Sequence, residues 1–285
     1  MVSRRAEPRA AEDADAPAGG RNLPIAVASG VLLAAVMIGS ILWHPAAFTL
    51  LVAVLCLIAV VEVGQVLRAR GIPIAVPVLL VATVVLLFGA YRGGAPGQVI
   101  GVLTLFLGAV AWELADGARR DVVRSLSSTL LIGLWVPFLA TYGVLLVHRP
   151  VDGPAATLAV LGGAIFTDIG GYFVGTRFGR HKVAPSVSPA KSWEGLIGGL
   201  VLSGLVGALI LPLMGDLFDV TTAILVPVLA GLAAFVGDLT ESMVKRDLGV
   251  KDLGALIPGH GGILDRVDGI VFALPVGYYV IEVLR

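Results

Sequence analysis

Charge is scarce in this sequence. Asp, Glu, Lys and Arg make up 14% of the 285 residues, against 57% hydrophobic, whereas roughly a quarter of a soluble domain is charged. With a mean hydropathy of +0.96, that shortage excludes a water-soluble globule and makes lipid the solvent for most of the chain. The formal net charge is zero, so the broad basic field that would hold nucleic acid is missing and no nucleic-acid partner is expected. There is a single cysteine, Cys56, set in an apolar run. It can form no intrachain disulfide and reads as small filler rather than a redox or zinc group. Neither a fixed-period repeat nor inverted halves can be found, which leaves one bundle as the simplest organisation.

What the chain has in abundance is apolar runs long enough to cross about 30 Å of hydrocarbon, which takes about twenty helical residues. They fall at 23–43, 46–67, 72–91, 97–116, 125–147, 155–178, 193–213, 220–240 and 263–284. The expected fold is therefore an all-α polytopic membrane protein of about nine transmembrane helices. Pro137, Pro212, Pro227 and Pro275 fall where they would kink or stop their helices. Residues 1–22 are rich in Arg, Ala, Pro and acids without periodicity, and read as a disordered cytoplasmic tail rather than a signal peptide. Lys and Arg in the connecting segments set the orientation. With the N-terminus cytoplasmic and the C-terminus outside, seventeen fall inside and only Arg92, Arg149 and Arg285 outside.

Chemistry is distributed unevenly along the chain. Residues 23–150, about five spans, hold few intramembrane charges, chiefly Glu62 and Glu113. Residues 151–285, about four spans with two cytoplasmic motif loops, hold all four lysines, at 182, 191, 245 and 251. A compact ammonium suits phosphate oxygens as a point charge, whereas the sixteen arginines would serve a generic surface.

Three constellations stand out. In the first, Asp168, Tyr172 and Gly175 recur at helical spacing, with Asp168 about 13 Å from Arg177 by helical rise. A carboxylate that deep requires a wet cavity or a partner inside the bundle. The second, Ser186 to Gly195, places Ser188, Lys191 and Ser192 in the loop entering the seventh span. Hydroxyls, amides and a lysine at a helix start form an anion cradle, although Ser192 and Glu194 are also ordinary helix-start chemistry and Trp193 suits an interfacial anchor.

The third constellation runs from Gly237 to Asp268. Asp238, Glu241, Ser242 and Lys245 are spaced to share one helical stripe at the end of the eighth span. Pro258-Gly259-His260-Gly261-Gly262 makes a glycine-permissive turn, after which Asp265 and Asp268 open the ninth span on one face. A solvated, salt-bridged hairpin would account for the charges but not for the glycine turn or the acids entering the membrane. Oxygen ligands without cysteine favour magnesium or another hard cation over zinc.

Ser242-Met243-Val244-Lys245-Arg246, Lys251-Asp252, Pro258-Gly259-His260-Gly261-Gly262 and Asp265-Arg266-Val267-Asp268 together resemble the signature of the phosphatidate cytidylyltransferase family, the CDP-diacylglycerol synthases. The segments around Ser188 to Gly195 and Asp168 to Gly175 are similar to further elements of that family. The resemblance implies magnesium-dependent condensation of CTP with phosphatidate to give CDP-diacylglycerol and pyrophosphate. The Lys and Arg count puts both motif loops, and so the active site, on the cytoplasmic side, and the Ala-, Gly- and Arg-biased composition points to the inner membrane of a bacterium.

Under that resemblance Asp238, Asp265 and Asp268 hold one or two divalent cations, with a monovalent cation also admissible. Asp238, Lys245, Asp265 and Asp268 form the catalytic set. Lys245, Arg246 and Lys251 neutralise substrate phosphates, and Ser188, Lys191 and Ser192 cradle nucleotide or lipid phosphate above Asp168. Ser242, Arg266 and His260 complete the substrate site, His260 as a hydrogen-bond donor rather than a base.

Two rivals were weighed. An ion-coupled transporter would use intramembrane Asp168 and Asp238, but predicts acids spread across the midplane. A CDP-alcohol phosphotransferase is hinted at by Asp116-Gly117-Ala118-Arg119, whose spacing lacks the residues that pattern needs. Small-residue faces such as Gly198, Gly199, Ser203 and Gly207 permit either internal packing or a homodimer seam.

Overall fold

The computed structural model describes residues 23–115, 121–215, 217–254 and 262–284, and it is nearly all helical. Helix α1 (Leu23–Trp43) is followed by α2 (Pro45–Ala69), α3 (Val76–Ala115) and α4 (Val122–Gly133). A π-helical turn (Leu134–Phe138) leads into α5 (Leu139–Val147), and α6 (Gly153–Phe178) follows. Then come the short strands β1 (Lys182–Ala184) and β2 (Ser188–Ser192), α7 (Trp193–Ile210), α8 (Val220–Leu248) and α9 (Leu264–Leu284). Among the described residues seven helical stretches are long and apolar enough to cross a membrane, with α3 taken as one and α4 to α5 as one.

The break between α1 and α2 is written in the sequence. Pro45 takes the first helical position, where its missing N–H costs nothing, and His44 Nδ1 accepts from the Ala46 amide at 3.1 Å. Helix α3 is not a single rod. Gly94 adopts φ 58°, ψ −140°, a conformation open to glycine, and the two limbs fold back on each other. Gly89 faces Gly97, Leu86 faces Gly101 and Val78 faces Gly108, an antiparallel pairing. A Cβ on Gly101 would lie 2.7 Å from the Leu86 Cα, so glycine allows this approach. The runs expected at 72–91 and 97–116 correspond to these two limbs.

The prolines divide into two groups. At Pro137 the missing N–H is absorbed by the π-helical turn, so the stretch from Val122 to Val147 continues through it. Pro212 lies in a short 3-10 turn (Leu211–Leu213) where α7 stops. Pro227 and Pro275 lie inside α8 and α9, which run on past them.

One feature departs from the sequence expectation. The fold is not wholly α, because residues expected to form an open loop pair as an antiparallel hairpin, Lys182 opposite Ser192 and Ala184 opposite Ser188. The two halves of the chain pack together as one bundle. Phe48 of α2, Gly143 of α5 and Leu274 of α9 meet in one core. Outward-facing Leu50, Val81, Phe88, Leu103 and Leu209 leave an apolar perimeter, as lipid requires. Away from the motif loops, Arg149 pairs with Glu282 and the Tyr142 and Tyr279 hydroxyls lie 3.1 Å apart.

Candidate active site

Helices α8 and α9 approach closely at Gly237, where an added Cβ would lie 2.9 Å from the Asp268 carbonyl. That approach brings the acidic stripe of α8 against the first turns of α9. Lys245 Nζ donates to Glu241 Oε2 at 3.0 Å and to Asp265 Oδ1 at 2.9 Å. Asp265 Oδ2 also accepts from the Gly262 amide at 2.7 Å and the Leu253 amide at 3.1 Å. Asp265 thus ties Leu253 and Gly262 to the start of α9. Glu241 is 1% exposed, and its Oε1 has no hydrogen-bond donor.

The hairpin supplies the opposite wall. Lys191 of β2 pairs with Asp238, and its Nζ sits 4.5 Å from the Phe235 ring centroid, a position that holds an ammonium by both charge and ring quadrupole. Ser242 Oγ donates to Asp238 Oδ1 at 3.4 Å. Arg246 Nε donates to the Val187 carbonyl at 3.2 Å, which ties the hairpin to the end of α8. Asp168 faces a cavity of about 560 Å³ whose lining includes Lys191, Phe235, Tyr172 and Gly175. The three constellations, far apart in sequence, therefore meet in one place.

Ser192 lines the same cavity. It is buried and caps α7, its Oγ accepting from the Gly195 amide at 3.2 Å. Ser188 sits in the hairpin opposite Ala184. Lys251 and Arg266 are exposed at the rim. His260 lies outside the described residues, as does Asp116 to Arg119.

The group that could hold a cation also differs from the expected one. Asp238, Glu241 and Asp268 each place a carboxylate oxygen within 4.8 Å of the others, while the Asp265 oxygens are taken by Lys245 and two amides. Glu241 shared the predicted stripe but its burial was invisible to spacing alone. Phe235 looked like one more apolar span residue, and nothing short of the fold pairs it with Lys191.

The donor set fits a hard cation. Four carboxylates (Asp238, Glu241, Asp265, Asp268) surround two ammoniums, Lys191 and Lys245, which leaves two negative charges when all are ionised. Glu241 Oε1, buried without a donor beside the other two acids, is the kind of atom a bound cation would satisfy. Oxygen ligands suit magnesium or manganese better than zinc.

Fold and site together define a multi-pass membrane protein with a carboxylate and ammonium centre whose acids could hold a cation. The Cytidylyltransferase family model matches residues 24–284, and the chain belongs to that family. It is 34% identical over 289 residues to the phosphatidate cytidylyltransferase of Mycobacterium bovis, covering 93% of this chain and 90% of that one. The protein of the same name from Mycobacterium leprae is 34% identical over 94% of this chain and 90% of its own. That from Synechocystis is 33% identical over 83% and 89%. The resemblance read from the signature is borne out.

Proposed function

We propose that this chain transfers the cytidylyl group of CTP to phosphatidate, giving CDP-diacylglycerol and pyrophosphate for phospholipid synthesis. A phosphate oxygen of phosphatidate forms the new bond to the α-phosphorus of CTP, and the bond from that phosphorus to the bridging oxygen of the β-phosphate breaks. The attacking oxygen is already ionised at neutral pH, so the reaction needs positioning and charge neutralisation more than a general base. The observation that carries the reading is the Asp238, Glu241 and Asp268 group, with its unsatisfied buried oxygen, beside the cavity shared by Asp168 and Lys191.

Asp238, Glu241 and Asp268 would hold magnesium, which when bound offsets charge on the triphosphate and the leaving pyrophosphate. Lys191, presented by the rigid hairpin, reaches the nucleotide phosphates at the expense of part of its pairing with Asp238. Lys245 keeps Glu241 and Asp265 in register. Arg246, Lys251 and Arg266 supply positive charge where phosphate groups enter. Ser242 steadies Asp238, and Ser188 and Ser192 shape the hairpin and the start of α7 beneath it.

The arrangement in the bilayer belongs to the same proposal. Counting the two limbs of α3 separately and including α1 gives nine crossings. With the N-terminus in the cytoplasm, Lys191 and Lys245 then face cytosolic CTP while phosphatidate approaches within the inner leaflet of a bacterial membrane. Residues 23–150 form the scaffold and 151–285 the catalytic part. The transporter reading draws no support from the acids, which cluster instead of spreading along a path.

Pyrophosphate release by the purified protein in detergent tests the reading. Release should require CTP, phosphatidate and magnesium together and should collapse in Asp268→Asn. Well-folded protein that releases none over a range of lipids and cations would overturn it.

A further inference from the structure

The signature loop is held from outside the catalytic half. Helix α2 contains one acid, Glu62, in an otherwise apolar stretch. Glu62 is 7% exposed, and its Oε2 accepts from the Ile263 amide at 2.7 Å, across 201 residues of sequence. Its carboxylate fills the space that side chains on Gly254 and Gly262 would occupy. A Cβ on Gly254 would lie 2.6 Å from Oε2, and one on Gly262 2.7 Å from it. Eight residues along, Arg70 Nη2 donates to the carbonyl of Gly249 at 2.9 Å, where α8 ends in a left-handed cap.

One helix therefore grips both flanks of the segment joining α8 to α9, at points about 12 Å apart along its axis. Ile263 directly precedes α9, whose first turns carry Asp265 and Asp268. The entry angle of α9 fixes how near Asp268 comes to Asp238 and Glu241 on α8, and the Glu62 acceptor fixes that entry.

We infer that Glu62 is a positioning residue for the cation group, acting through the Ile263 amide and the Gly254 and Gly262 backbone to hold Asp268 against Asp238 and Glu241. The inference rests on the reading of those three acids as the cation site. Loss of one charge-assisted hydrogen bond at a buried position is on the order of a 10- to 100-fold effect, and it should fall on cation affinity before it falls on nucleotide binding. Glutamine at this position keeps an oxygen acceptor of the same reach and should restore most of the function. Alanine removes it.

The test is Mn2+ binding to the full chain in detergent, without substrates, followed by electron paramagnetic resonance, together with hydrogen exchange at the Ile263 amide. Glu62→Ala should weaken Mn2+ binding on the order of tenfold and speed exchange at Ile263, while Glu62→Gln stays within about threefold of the parent. Gly254→Ala, whose new methyl would press on the carboxylate, should weaken Mn2+ binding in the same direction and serves where Glu62→Ala fails to fold.

Parent-like Mn2+ binding in both alanine variants would overturn the inference, as would Glu62→Gln as impaired as Glu62→Ala. Asp268→Asn separates this outcome from failure of the underlying site. Parent-like Mn2+ binding there would overturn the cation-site reading itself, whereas lost binding in Asp268→Asn beside parent-like binding in Glu62→Ala would overturn only the role of Glu62.

Discussion

Replacing Glu241 with glutamine should stabilise the cation-free protein and at the same time remove its response to magnesium. Without a cation, Glu241 Oε1 is buried with no donor, and Asp238 and Asp268 each place an oxygen within 4.8 Å of it. An unsatisfied buried acceptor costs about 1–3 kcal/mol. Like charges this close add to that cost until one of the carboxyls takes up a proton. Glutamine removes the charge and brings an amide donor to the same place.

Against this, the Lys245 pair with Glu241 weakens to a charge–dipole contact, although Lys245 retains Asp265 at 2.9 Å. The expected net gain is about 1–3 kcal/mol, or about 2–12 °C in the unfolding midpoint at about 2–4 °C per kcal/mol. In the parent, magnesium at 100 times its dissociation constant should stabilise by about 2.7 kcal/mol. Thermal unfolding in detergent, in chelator and across a magnesium series, measures both effects. A Glu241→Gln protein that melts lower than the parent in chelator yet keeps the full magnesium shift would refute the reasoning.

Three further outcomes follow from particular contacts. Lys191→Met removes the ammonium held between Asp238 and the Phe235 ring, and steady-state assays should show KM for CTP raised on the order of tenfold, in line with a charged hydrogen bond. The unfolding midpoint of that variant should move little. Gly94→Ala puts a side chain at φ 58°, ψ −140° and should cost about 1–3 kcal/mol, read as a lower midpoint without a matching change in KM.

Asp219 caps α8 through the amide of Thr222 at 2.8 Å and its hydroxyl at 2.6 Å. The hydrogen bond from the Thr222 side chain, then that from its amide, holds the carboxyl below its usual range. A depressed folded-state value means the stabilisation is present above the unfolded carboxyl pKa and lost as pH falls through the folded one. Asp219→Ala should accordingly melt below the parent at pH 7 and converge with it in acid.

The sequence made the helices legible because crossing a bilayer demands long apolar runs whatever the rest of the fold does. It also showed that α3 is two runs, because Arg92 to Pro96 interrupts the hydrophobicity, though not that Gly94 would turn one limb back along the other. The stripe from Asp238 to Lys245 was legible from helical spacing, which fixes a shared face. Which acid of that face is buried depends on α9 packing at Gly237, a contact no spacing rule reaches. Asp265 and Glu241 are equivalent carboxylates in sequence, and only the amides of Leu253 and Gly262 distinguish them. The hairpin is not legible in sequence, because a five-residue strand containing Pro189 has no alternating pattern.

Glu62 exposes a different kind of limit. An acid buried in an apolar helix is costly unless a partner repays it, yet the sequence does not say which partner. The partner is a backbone amide, which carries no signature in sequence, at a position 201 residues away. The two glycines beside it gave no better signal, because glycine at Gly262 suits a tight turn in any case and Gly254 lies between the segments that carry the signature. Their requirement is instead for space: Gly254 and Gly262 are small so that a carboxylate from the scaffold can lie between them. A cation site assembled from α8 and α9 alone would have its geometry set by a loop free to breathe. Anchored to α2 at Gly249 and Ile263, it takes its geometry from a helix embedded in the same core, and the apparently generic N-terminal half becomes part of what holds the acids together.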